Sequence, residues 1–323
     1  MFDFNIYSFE QRALETFRFQ YDNNALYRRY VQLLNRQPKD ILKIADIPFL
    51  PISFFKTHEI KTTDFDPLAI FESSGTTKTG NSRHFVKDPD IYRQSFTKAF
   101  NIFYGSPHKW CILALLPSYL ERNNSSLVVM ANELIRLSGH PSGGFFLDQY
   151  DRLYEILMRL IKNGQQTLLL GVTFALLDFF ENRKMDLQNT VVMETGGMKG
   201  RKEEMTREEV HSLIIRSSGV TAVHSEFGMT ELLSQAYSYG EGIFKCPPWM
   251  KIVLRSEDDP FGFYDGNDGP IKEGLINVID LANRFSCSFI ATDDVGKLHD
   301  SDSFEVLGRV DNSDIRGCSL LVV

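Results

Sequence analysis

Between residues 111 and 226 the sequence alternates short apolar runs with amphipathic stretches, and this alternation constrains the fold more than any other feature. The runs are 111-CILALLP-117, 167-TLLLG-171, 190-TVVMET-195 and 221-TAVHSE-226, with stretches such as 125-SSLVVMANELIRLSG-139 and 206-TREEVHSLIIRSSG-219 between them. Runs this short and apolar are expected to be strands buried on both faces, and helical crossovers between them make neighbouring strands parallel. The expected class is therefore α/β, a mostly parallel sheet covered by helices. Ligands of such sheets bind outside the carboxyl ends of the strands. The loops there, 195-TGGMKG-200 and 226-EFGMTE-231, are expected to border a pocket.

The flanks have a different texture. Over residues 8–36, Ser8 with Gln11 three positions later makes a capping box, and Leu26, Tyr30, Leu33 and Leu34 recur at helical spacing, so this region is expected to be helical. Pro48, Pro51 and Pro67 then break any long periodicity, and 47-IPFLPISFF-55 reads as extended chain and turns. After about residue 240 come short extended pieces, 251-KIVLR-255, 275-LINVIDL-281, 288-SFIATDDVG-296 and 303-SFEVLGRVD-311. Turn residues between them point to a mostly antiparallel β-rich part, closing one side of the site.

Composition narrows the partners. A formal net charge of -7 argues against nucleic acid or an anionic membrane surface as the main partner, leaving a small molecule or a protein. No apolar segment approaches about 18 residues, and the N-terminus lacks the basic start and apolar run of a secretion signal, so a cytoplasmic protein without a membrane span is expected. The four cysteines, Cys111, Cys246, Cys287 and Cys318, form no CxxC pair and suggest neither a zinc site nor a disulfide framework.

The chemistry lies in the loops. In 73-SSGTTKTG-80 small residues let backbone approach a ligand, successive N–H groups form an anion-binding nest, and hydroxyls donate to phosphate oxygens. Taken alone, the stretch reads equally as a surface turn rich in Ser and Thr. Gly75 and Gly80 have the spacing of a P-loop, but Asn81 and Ser82 follow where its lysine and hydroxyl belong. In 193-METGGMKG-200 a strand runs into paired glycines on which a flat ring could stack. The stretch 224-HSEFGMTELL-233 is more specific, offering an aromatic, a glycine, a hydroxyl and a carboxylate suited to Mg²⁺ in order. Asp293 and Asp294 in 291-ATDDVGKL-298 suit a sugar diol, and Arg309 in 307-LGRVDNSDIRG-317 suits phosphate or ribose.

This ordered set, SSGTT, TGG, FGMTE, TDD-VG and GR-D, resembles the adenylate-forming superfamily of acyl-CoA synthetases, luciferases and peptide-synthetase adenylation domains. Within it the chain resembles most closely the LuxE-type acyl-protein synthetases, from about residue 50 to the end. The resemblance implies a 1–306 acyl-activating domain, with a 1–45 helical segment and a β-rich part over about 245–306, followed by a hinge-like motif and short tail at 307–323. It also implies that Ser73, Ser74, Gly75, Thr76, Thr77 and Gly80 close over the phosphates of ATP and that Gly196 and Gly197 line the adenine. Phe227, Gly228, Met229 and Thr230 would contact the nucleotide, Glu231 would bind Mg²⁺, Asp294 would hold the ribose, and Arg309 would add a contact at the hinge.

Two departures accompany the resemblance. Lys78 and Thr79 stand as an insertion in the phosphate loop, and Arg83 of 80-GNSR-83 occupies the place of the usual lysine. The chain ends at Val323, soon after Arg309, so the mobile C-terminal domain that brings a catalytic lysine is expected to be absent; either Lys199 or Arg201 supplies that charge or adenylation runs without it. The tail carries Cys318, flanked by Gly317 and Ser319 with Arg309 and Arg316 near in sequence. In the resembled family a cysteine near the C-terminus accepts the acyl group, which implies this role for Cys318. Cys111 and Cys287 sit in apolar runs and are expected in the core, while Cys246 has no supported role. His224 is a candidate base or carboxylate contact, equally readable as a structural histidine, and His84 is similar.

The expected activity is MgATP-dependent conversion of a carboxylic acid, a fatty acid by the family's habit, to an acyl-adenylate, followed by transfer to Cys318 and on to an acyl reductase or acyltransferase partner. An acyl- or aryl-CoA ligase is the alternative enzyme, and a non-catalytic nucleotide-binding subunit is the alternative of another class.

Overall fold

A computed structural model describes residues 7–73, 80–116, 124–196, 205–256, 262–264, 272–300 and 302–310. Its described residues divide into two compact units. One is drawn from Met1–Ser95, Met229–Ala236 and Lys245–Asp314, the other from Phe96–Gly228 and Tyr237–Phe244.

In the second unit the apolar runs form the expected parallel sheet. Gly144–Phe146, Cys111–Leu115, Thr167–Val172, Thr190–Thr195 and His224–Phe227 lie side by side in that order, each parallel to the next. The last strand begins at His224, three residues beyond the start of its apolar run at Thr221. The intervening helices end as their sequences dictate. Ser126–Ser138 stops at Gly139 and Arg207–Ser218 at Gly219, both glycines in the left-handed region that L side chains avoid. Thr206 and Glu209 close a capping box at the start of the latter. Helix Thr173–Glu181 presses so closely on the strand before it that a Cβ at Gly171 would stand 2.7 Å from Leu176. Cys111, Ile112, Leu113, Leu169, Val172 and Val192 are fully buried, as a two-sided cover requires.

The first unit is antiparallel where the sequence led one to expect it. Phe263–Tyr264, Met250–Arg255, Lys272–Asp280, Phe289–Leu298 and Ser303–Arg309 pair in that order. Leu50–Pro51 adds a short parallel pairing on Phe289–Leu298. Ala69–Glu72 and Arg83–Val86 form a separate hairpin with Glu72 opposite Arg83, so the hydroxyl-rich stretch is its connection.

The N-terminal segment differs from a single helix over 8–36. It is two helices, Phe9–Asn23 and Ala25–Leu33, broken at Asn24, whose side chain accepts from Tyr27 N and caps the second. A polar residue able to bond backbone locally competes with helix continuation, and here the cap wins. The Ser8–Gln11 capping box forms as expected. These helices bury Phe17 and Tyr27 against Phe289, with ring centroids 6.5 and 6.3 Å away. Gln20 donates to the carbonyls of Asn283 and Arg284 and to Ser288.

Candidate active site

Two polar constellations stand at the positions where the sequence placed function, one in each unit. In the first unit the centre is the peptide Thr230–Glu231. The carbonyl of Thr230 lies 2.9 Å from His84 Nδ1, and the carbonyl of Glu231 accepts from Asn283 Nδ2 at 2.7 Å. Asn283 Oδ1 in turn lies 2.9 Å from His84 Nε2. Both ring nitrogens therefore face oxygens, whereas a neutral imidazole carries only one N–H. Burial pulls the His84 pKa below its ordinary value, opposed by the Thr230 contact, by nearby Glu231 and by Asn283. Just downstream, Asp280 accepts from Leu233 N at 2.7 Å, Ser234 Oγ at 2.6 Å and Ala282 N at 3.0 Å. Burial pushes its carboxyl up to about 6 against those donors.

The hairpin reaches this peptide through His84. Neighbouring residues of a strand face opposite sides, so His84 points inward while Arg83 is exposed, its guanidinium over the Phe85 ring at 5.4 Å. The structure thus brings His84, not Arg83, to Thr230. At the hairpin's mouth Ser73 N donates to Ser82 O and Ser82 N donates to Ser73 Oγ, so Ser73 closes the turn. Ser82 Oγ is buried without a hydrogen-bond partner among the described residues. Gly80 adopts φ 90, and Ser74, Gly75, Thr76 and Thr77 lie outside the described residues.

Asp294 and Arg309 are directly opposite in their strands, and Arg309 Nε donates to Asp294 Oδ1 at 2.8 Å with both side chains nearly buried. Two residues expected to make separate nucleotide contacts are here one cross-strand ion pair. Arg255, which donates to Asn277 Oδ1 and the Thr292 carbonyl, has Asp293 and Asp294 near it.

In the second unit, register sets Glu194 opposite Ser225 and Thr195 opposite Glu226, so the two carboxylates occupy opposite faces of the sheet. Glu194 accepts from Thr173 Oγ1 at 2.8 Å and lies 3.8 Å from His211 Nε2. Its pKa is lowered, because His211, Ser225 and Thr173 together outweigh the opposing effect of burial, the largest single influence. On the other face Glu226 accepts from Thr195 Oγ1 at 2.5 Å, and burial pushes it up to about 7. His224 shares that face. Its Nδ1 lies 3.1 Å from the Tyr104 hydroxyl, and burial lowers its pKa. Gly196 has φ 74 and its carbonyl accepts from Thr173 Oγ1 at 2.5 Å, while Gly197 lies outside the described residues. Phe227 is buried with its ring 5.9 Å from that of Phe244, and Gly228, Met229 and Thr230 are partly exposed.

Glu226 makes a measurable prediction. A rise from an ordinary 4.5 to about 7 corresponds to roughly 3 kcal/mol. The folded state binds this proton more tightly than the unfolded chain, so stability is lost as pH rises from about 4.5 through 7. Glu226→Gln, which keeps an acceptor for Thr195, is expected to match the parent near pH 4.5 and to exceed it by about 3 kcal/mol at pH 8.5. Urea unfolding at the two pH values measures the difference.

Sequence reasoning missed Asp280, Asn283 and Glu226. Polar residues interrupting the apolar texture of 275-LINVIDLAN-283 were the available signal for the first two. Cys111 and Cys287 are buried as expected, each thiol pushed up to about 12 by burial. Lys199, Arg201 and Cys318 lie outside the described residues. Among those residues no three His, Cys, Asp or Glu side chains converge as a metal site, and no helix is long and apolar enough to cross a membrane. One buried carboxylate, Glu231, on a peptide held at consecutive carbonyls suits Mg²⁺, which takes one or two carboxylates and fills its remaining positions with water and substrate phosphate.

A family model described as "Acyl-protein synthetase, LuxE" matches residues 5–323. A comparison with curated protein sequences finds no match. Among solved structures, 2-hydroxyisobutyryl-CoA ligase in complex with 2-HIB-AMP and CoA superposes with a TM-score of 0.68 at 13% identity, covering 94% of this chain and 68% of that one. The same ligase in its postadenylation state gives 0.65 at 12% identity, covering 94% and 67%. Identity at this level shows a shared fold alone.

Proposed function

We propose, from the premise that the chain belongs to the LuxE acyl-protein synthetase family, that it activates a carboxylic acid with ATP and passes the acyl group to a protein thiol. A carboxylate is a poor electrophile until one oxygen belongs to a good leaving group. Its oxygen attacks the α-phosphorus of ATP, the bond to pyrophosphate breaks, and an acyl-adenylate forms. A thiolate then attacks the acyl carbon, AMP leaves with the electron pair, and a thioester results.

The observation that supports this reading best is the connection, within one unit, of the hydroxyl-rich hairpin to the Thr230–Glu231 peptide through His84. Thr230 would donate to phosphate and Ser73 to Thr77, with Gly80, would enclose it. Glu231 would hold Mg²⁺, which when bound neutralises charge on the phosphates. Gly196, Gly197 and Phe227 to Met229 would border the base, and Asp294 with Arg309 the ribose. Arg83, exposed at the hairpin, would meet phosphate only by turning toward it, and His224 would act as an oriented hydrogen-bond partner. Cys318 would be the acceptor thiol, a fatty acid the substrate, and an acyl reductase or acyltransferase the recipient, in a cytoplasmic setting.

The test is the intact mass of the protein after incubation with MgATP and a panel of fatty and aromatic acids, alongside acid-dependent exchange of labelled pyrophosphate into ATP. One acyl adduct per chain, released by hydroxylamine, is expected with the correct acid. Exchange without an adduct, with acyl-CoA formed when CoA is added, would replace the protein acceptor by a diffusible thiol. Nucleotide binding with neither exchange nor adduct would reduce the chain to a binding subunit.

A further inference from the structure

We propose that His84 and Asn283 are positioning residues, a clamp that fixes the Thr230–Glu231 peptide relative to the strand leaving the hydroxyl-rich hairpin before nucleotide arrives. The inference rests on the reading of Thr230 and Glu231 as phosphate and metal contacts. A core histidine needs one partner for its N–H. Here both ring nitrogens lie 2.9 Å from oxygens, Thr230 O and Asn283 Oδ1, and the Asn283 amide N–H donates to Glu231 O, so the two side chains converge on two consecutive carbonyls.

Neither side chain has room to adjust. His84 and Asn283 are 1% and 0% exposed. The His84 ring meets the rings of Phe55 and Phe71 edge to face at 5.8 and 6.4 Å. Asn283 is held from behind, since its carbonyl accepts from Gln20 of the first helix at 3.2 Å. His84 also stands directly opposite Phe71 in the hairpin, and the next pair, Glu72 and Arg83, leads to the mutual hydrogen bonds of Ser73 and Ser82. A shift of the hairpin's mouth is therefore transmitted to Thr230 through two adjacent cross-strand pairs and the buried His84 ring. The N-terminal helix, which carries no nucleotide motif, has a role here as the support of Asn283. Group placement matters this much because a misplacement near 1 Å can cost about 100-fold in rate.

His84→Gln and Asn283→Ser test the clamp, each titrated with ATP by calorimetry with and without Mg²⁺ and assayed by pyrophosphate exchange. Each is expected to raise the Kd and KM for MgATP by roughly 10- to 100-fold, as loss of an outer support of a metal ligand does, while the KM for the acid stays within about twofold. The double variant is expected to be little worse than the worse single, because the two residues act through one network. MgATP affinity unchanged in both variants, or acid KM rising in step with it, would overturn the clamp. Should the variants not fold, the parent labelled with ¹⁵N-histidine decides. A ring N–H protected from exchange with water supports the clamp, and its absence sinks it. A parent that binds MgATP yet exchanges with no acid removes the proposed reaction, and the calorimetric comparison still judges the clamp.

Discussion

Glu231→Gln is expected to lower acid-dependent pyrophosphate exchange by at least about 100-fold while leaving the unfolding curve unchanged. Residues that merely support a metal ligand cost about 10- to 100-fold when removed, so a direct ligand, the role proposed for Glu231, stands at or beyond the upper end. Glutamine has nearly the same shape, and the surrounding peptide is held through the Thr230 and Glu231 carbonyls. The substitution therefore removes charge without removing the frame. Raising Mg²⁺ is expected to recover part of the rate. A loss below tenfold, insensitive to Mg²⁺, would exclude Glu231 as the ligand.

Cys318→Ser separates activation from transfer. The variant is expected to lose the hydroxylamine-labile adduct entirely and to keep pyrophosphate exchange within about twofold, because in the proposed reaction the thiol enters only after the adenylate exists. A serine hydroxyl is scarcely ionised near neutral pH, whereas a thiol has an appreciable thiolate fraction. The other cysteines make poor substitutes. Cys111 and Cys287 are fully buried with thiols pushed up to about 12, and burial also raises Cys246. An adduct that survives in Cys318→Ser would locate the acceptor elsewhere.

The fold was legible where a sequence property acts locally. Apolar runs of strand length and the Ser8 capping box each depend on residues within a few positions of one another. The helix break at Asn24 is local too, but its capping bond to Tyr27 competes with helix continuation, and residue spacing does not show which of the two wins.

The candidate loops could likewise be named in order from the sequence, because small residues, hydroxyls and carboxylates advertise their chemistry wherever they sit. Which of them meet is a matter of long-range register. That Asp294 pairs with Arg309 follows from one antiparallel alignment, and that Glu194 and Glu226 face opposite sides follows from one parallel alignment; a shift of a single residue would reverse either. His84 meets Thr230 across 146 positions and Asn283 across 199. Composition and motif order thus determined the class of fold and the kind of chemistry this chain can carry. Only the tertiary structure decided that His84 faces inward while Arg83 faces solvent, because strand pleat and hairpin packing, not residue type, choose which neighbour is buried.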